Sequence, residues 1–136
     1  MRQHHTNFLL CLTLFLGFLS CKKDTKPPTA PPAPRNIRYI LYTTENFSDD
    51  NKLITFELVM KNGQKVLFDS TLASMKVSEI PFKTAAIVVN KSVPAGNENA
   101  DLMVGFLYSI QDVGNSWFLD TAKAGNPLKI VEYAFK

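Results

Sequence analysis

The sequence predicts an all-β fold, an antiparallel β-sandwich of about seven to eight strands spanning residues 36–136. Three observations carry that prediction. From Asn36 onward, β-branched and aromatic segments recur about every eight to twelve residues with turn residues between them, the rhythm of a sandwich or barrel. Two segments alternate strictly: Ile54, Phe56, Leu58 and Met60 fall on one face, and Leu102, Val104, Phe106, Tyr108 and Ile110 on another. No segment carries the stripe of an amphipathic helix.

In chain order, the predicted strands lie near Ile37–Thr43, Leu53–Met60, Gln64–Leu72, Met75–Ile80, Thr84–Val93, Asp101–Gln111, Ser116–Ala122 and Leu128–Phe135. Ser48 to Asn51, Pro94 to Ala100 and Asp112 to Ser116 gather the Asx, Gly, Pro and Ser residues that favour loops. The second and third strands permit a register. A two-residue Asn62-Gly63 loop would set Phe56 opposite Asp69, a carboxylate against a core aromatic. A three-residue loop, Lys61-Asn62-Gly63, instead sets Leu58 opposite Val66 and Phe56 opposite Phe68, with Glu57 and Lys65 on the other face. The three-residue loop is therefore expected, with Gly63 in the left-handed position of a type I turn and G1 bulge.

Upstream of the domain the chain changes character. Met1 to Asn7 is short and polar, and Phe8 to Leu19 is an apolar run broken only by Thr13 and Gly17. A membrane-spanning helix needs roughly 20 apolar residues, so this run is too short to be a stable span and reads as a secretory signal. It stops at Phe18-Leu19-Ser20-Cys21, followed at once by Lys22-Lys23-Asp24. These residues resemble the lipobox of bacterial lipoproteins. The resemblance implies that a diacylglycerol thioether forms on Cys21, that residues 1–20 are removed, and that the lipid is the membrane partner. Two or three acyl chains, at about 0.8 kcal/mol per buried methylene, would hold the protein on the membrane. Because Lys22 rather than Asp follows the cysteine, the resemblance further implies the outer membrane, and the charged residues are similar to export tags for the cell surface.

Residues 21–35 form the expected tether, since Lys22 to Arg35 holds five of the eight prolines. Such a stretch favours polyproline II at about 3.1 Å per residue, a spacer reaching up to roughly 40 Å. It also concentrates positive charge, with Lys22, Lys23, Lys26 and Arg35 against Asp24. Asn36 to Lys136 carries ten Lys or Arg against eleven acids, a net of −1, so the basic pI of 8.9 describes the tether and leaves no footprint for nucleic acid on the domain. Cleavage would also remove His4, His5 and Cys11. The mature chain would then lack histidine and a free thiol, which excludes Ser-His-Asp and Cys-His catalysis, Cys/His zinc sites and disulfides. No cofactor or metal is expected. Over Asn36 to Lys136 the chain resembles, in architecture, small Gram-negative lipoproteins that carry one immunoglobulin-like or related β-sandwich on a proline-rich stalk.

Candidate chemistry is sparse. Asp49, Asp50 and Asn51, and Asn97, Glu98, Asn99 and Asp101, form oxygen-rich loops that could supply calcium ligands, but no EF-hand spacing is present and Asx residues are ordinary turn formers. A pair of carboxylates could cleave a glycoside, yet nothing singles out a pair. Trp117, the only tryptophan, is a candidate platform for a sugar ring. Its neighbours Phe118 and Leu119 place it in an apolar strand, so burial between the sheets is the expected outcome. The functional expectation is a lipid-anchored, non-catalytic β-sandwich that acts in binding or in assembly of an envelope complex, with an envelope protein or a glycan as partner. The alternatives are a glycan-binding module and a carboxylate hydrolase.

Overall fold

A computed structural model describes residues 33–136. The predicted signal, Cys21 and the tether up to Pro32 lie outside the described residues. The strands are β1 (Asn36–Thr43), β2 (Leu53–Asn62), β3 (Lys65–Thr71), β4 (Met75–Lys76), β5 (Ile87–Ser92), β6 (Leu102–Ile110), β7 (Gly114–Ala122) and β8 (Leu128–Phe135). They form two sheets, one in the order β5-β1-β8 and one in the order β3-β2-β6-β7, with β4 extending the β3 edge of β2. The fold is all-β, and neither sheet closes into a barrel. Among the described residues no helix is long and apolar enough to cross a membrane.

Two predicted strands are shorter than expected. After Met75 and Lys76 the chain turns through one 3-10 turn, Val77–Glu79, where the Glu79 carboxylate accepts the Lys76 N–H at 2.9 Å. Pro81, which has no N–H for a ladder, follows. A second 3-10 turn, Lys83–Ala85, delays β5 until Ile87. The predicted all-antiparallel pairing is also corrected, because β1 and β8 run parallel from Asn36 opposite Leu128 to Thr43 opposite Phe135. The cause is topological. β7 ends beside the start of β1, and the short Lys123–Pro127 connection crosses to the other sheet at that same end, so β8 must run in β1's direction.

The β2–β3 hairpin departs from its predicted register. Asn62 pairs with Lys65, so Gly63 and Gln64 form a two-residue loop that neither sequence option contained. Gly63 has φ of 57° and Gln64 has none of that left-handed character, the signature of a type II′ turn, whose twist suits paired strands. A bulge at Leu67 then restores the faces: Lys61 pairs with Val66, and Met60 with Phe68. Phe68 therefore lies on the core side as expected, but opposite Met60 and not Phe56.

The core lies between the inner faces. Ile54, Phe56, Leu58 and Met60 of β2 are buried, as the alternation predicted, against Ile37, Tyr39 and Leu41 of β1 and Val131 and Phe135 of β8. Tyr39 spans the layers: its ring meets Phe106 edge-on at 5.8 Å and its hydroxyl donates to the Val59 carbonyl at 2.8 Å. Burial raises its pKa well above the ordinary tyrosine value.

Arg35, assigned to the tether by its neighbours, is buried in the domain. Its Nε donates to the Asn126 carbonyl, Nη1 to the carbonyls of Asn97, Glu98 and Ala100, and Nη2 to those of Ala122 and Lys123, at 2.8 to 3.2 Å. A planar fork of five N–H donors is what allows one side chain to satisfy two loops at once. The guanidinium thus staples the 94–100 loop and the 123–127 connection to the point where the chain enters the sandwich.

Candidate functional site

The strand pattern that buries one face of β2 and β6 leaves a second face outward, and β3 and β7 extend it. Three cross-strand rows matter. Lys61 pairs with Val66 and Met103; Thr71, Glu57, Leu107 and Trp117 form a row further toward the other end; and Thr55, Ser109 and Asn115 follow. Between the first two rows, Val59 opposes Asp69 and Gly105, and Gly105 opposes Leu119. Glycine is required there: a Cβ at Gly105 would run into the Phe118 carbonyl and lie 2.9 Å from Leu119 Cα.

A groove of about 430 Å³ lies on this face. Thr55, Glu57 and Thr71 form one wall, Leu107 and Ser109 the floor, and Asn115, Ser116 and Trp117 the other wall. Trp117 is 68% exposed, which corrects the expectation that it is core. The reason is strict alternation. Phe118 takes the inward position and stacks on Tyr133 with ring centroids 4.9 Å apart, so its neighbour must point out. The apolar context that suggested burial, Phe118 and Leu119, comes from both faces of one strand.

Sequence reasoning placed Glu57 on the outer face but gave it no role, and it passed over Thr55, Thr71 and Ser109. The alternation of β2 and β6 already held the signal, since polar residues interleave with the buried set. The missing step was the partner strand. The tight turn Ile110 to Val113, closed by the Val113 N–H on the Ile110 carbonyl at 3.1 Å with Asp112 at φ of 59°, lets β7 begin at Gly114 and sets Trp117 opposite Leu107. Placing β7 at Ser116 after a longer loop hid that register.

The oxygen-rich loops spend their side chains on structure. The Asp50 carboxylate accepts the Lys52 N–H at 3.0 Å, Glu98 accepts the Gly96 N–H at 3.0 Å, and Asp101 accepts both the Ala124 N–H and Lys123 Nζ at 2.8 Å. Among the described residues no cluster of three or more acidic or His/Cys side chains is arranged to hold a metal. The carboxylates with displaced pKa values stand apart from the groove. Hydrogen bonds from Lys123, Lys129 and Lys83 hold Asp101, Asp120 and Glu132, respectively, below the usual carboxylate range. Cys21 lies outside the described residues.

The arrangement offers one exposed aromatic face, one carboxylate and a set of hydroxyl and amide groups on an open sheet. That inventory suits reversible recognition of a polyhydroxylated ligand, with the indole supplying an apolar platform and the other groups fixing orientation. No family model, no curated protein and no solved structure matches the chain.

Proposed function

We propose that the chain is a lipid-anchored envelope lipoprotein whose sandwich binds glycan on the outer face of the β3-β2-β6-β7 sheet. The observation that carries this reading is the exposure of Trp117 beside a groove lined by Thr55, Thr71, Ser109 and Asn115. A pyranose presents C–H groups on one face and hydroxyls at its edge. The C–H face packs on an indole, whose π surface is negative, and the edge seeks donors and acceptors beside it. A non-catalytic role is part of the proposal, because the groove lining contains one carboxylate whereas two-carboxylate glycosidases use a pair.

The strand order supports an immunoglobulin-like reading, from which the parallel β1–β8 pair departs. β3-β2-β6-β7 follows the order C′-C-F-G, and β5-β1 the order E-B, with β8 filling the outer place of strand A. The chain enters at Arg35, which bonds the Ala122 carbonyl, whereas Trp117 lies five residues back along β7, roughly 17 Å away.

The test is a panel of soluble oligosaccharides against the lipid-free mature chain and its Trp117→Ala variant. Truncating an aromatic anchor at a binding surface costs about 2 kcal/mol or more, so the variant should lose roughly thirtyfold in affinity. Its stability should stay within about 0.5 kcal/mol, as for other exposed positions. Equal binding by the two proteins, or no binding by either, contradicts the proposal.

A further inference from the structure

The groove's charge is as informative as its aromatic. Of the residues that line it, Glu57 alone is charged, and it stands at the centre of the row, between Thr71 and Leu107. Among the described residues its carboxylate enters no ion pair, in contrast to Asp50, Asp101, Asp120 and Glu132, each matched with a lysine. Asp69, opposite Val59 in the adjoining row, adds a second negative charge to the same face. Lys61 is the basic residue of β2 on this face, four positions along the strand from Glu57 and thus roughly 13 Å away, beyond the screening length of about 8 Å at physiological salt.

Glu57 and Trp117 are separated by one intervening strand, so their backbones lie roughly 10 Å apart. A sugar ring packed on the indole over Leu107 therefore brings its far edge to the carboxylate. An ionised carboxylate only accepts hydrogen bonds, and it can take two from neighbouring hydroxyls of one ring. A sugar carrying its own carboxylate would instead place like charges together with no cation in the groove to offset them.

Resting on the glycan reading above, we propose that Glu57 makes this groove selective for uncharged sugars and excludes acidic ones such as uronic acids, because it is the single, unpaired charge on the groove lining. Specificity here comes from repulsion as much as from attraction. The carboxylate both receives the hydroxyl pair of a neutral ring and bars an anionic one.

The experiment compares neutral oligosaccharides with their uronate counterparts of equal length, using the lipid-free mature chain, Glu57→Gln and Trp117→Ala. The wild-type protein should bind the neutral member at least roughly tenfold more tightly, the size of a like-charge penalty at a partly solvated surface. Glu57→Gln keeps the shape and should collapse that ratio by about tenfold, weakening the neutral ligand slightly and admitting the acidic one. In wild type the ratio should also shrink as salt rises, a response that a purely structural role for Glu57 would not produce. A wild-type protein that binds both series equally overturns the selectivity, as does a Glu57→Gln ratio unchanged from wild type. Failure of both series to bind, or binding indifferent to Trp117→Ala, overturns the glycan reading itself and the selectivity with it.

Discussion

Single side chains do unequal work in this domain. Phe56 is fully buried and meets Phe106, Tyr108 and Phe135 at ring distances of 5.5 to 6.4 Å. Phe56→Ala should cost about 3–5 kcal/mol in chemical denaturation, the usual range for a truncated core aromatic. Phe68, only half-buried opposite Met60, should cost about 1–2 kcal/mol. Arg35 is the less expected case. Its removal leaves six carbonyls without their shared donor, and hydrogen bonds to a charged group are worth about 1.5–3 kcal/mol each without being additive. Arg35→Ala should therefore destabilise by about 3 kcal/mol or more, and Arg35→Lys should rescue little, because an ammonium lacks the planar fork. Denaturation midpoints of the two variants lying within experimental scatter of wild type would remove Arg35 from its place as a staple. Its role could not be read from Pro-Pro-Ala-Pro-Arg, where it looks like one more tether charge; the bonds that bury it come from residues more than sixty positions away.

At the level of strands, alternation was the reliable guide and register the unreliable one. The inward sets of β2 and β6 followed directly from period two, although Val59 and Gly105, in the opposite phase, are buried as well. The hairpin register did not, because a bulge at Leu67 shifts the phase of β3 halfway along, and a bulge leaves no mark in a sequence whose Val66, Leu67 and Phe68 are all apolar. Trp117 failed for a related reason. Trp117, Phe118 and Leu119 are consecutive apolar residues, and only the position of the β6–β7 turn decides which of them faces in. Gly105 is the element that lets β7 lie close enough to matter. Gly105→Ala puts a methyl against the Phe118 carbonyl, so β7 must move from β6. Overpacking of this kind costs about 1–3 kcal/mol, and it should weaken oligosaccharide binding as well, since Trp117 rides on the displaced strand. Retained affinity at reduced stability would separate the groove from β7's seating.

For the whole molecule, charge sets the pH range of stability. Lysine hydrogen bonds hold Asp101, Asp120 and Glu132 below their ordinary values of 3.8, 3.8 and 4.5. A carboxylate whose pKa is lower in the folded state stabilises fully above its unfolded value and loses that contribution as pH falls through the folded one. The melting temperature should thus decline below about pH 4, and exchanging Lys123 and Lys129 for Met should flatten the decline. At the alkaline end the sign reverses. Burial raises the Tyr39 and Tyr133 pKa values, so their contribution is complete below the ordinary value of 10.0 and is lost as pH rises through the raised ones. The anchor reading is tested at the same scale: Cys21→Ser should abolish lipid labelling and release the protein from membranes, and unchanged fractionation would contradict it.

Trp117 is the sole tryptophan of the chain, so intrinsic fluorescence reports the groove without a label. Titrating folded protein that spans residues 22–136 with neutral oligosaccharide in the presence and absence of iodide tests glycan binding most directly. The expected result is red emission that iodide quenches, together with a saturable change on oligosaccharide addition that shields the indole from iodide. Blue emission resistant to iodide would return Trp117 to the core, and red emission indifferent to every oligosaccharide would contradict the glycan-binding face.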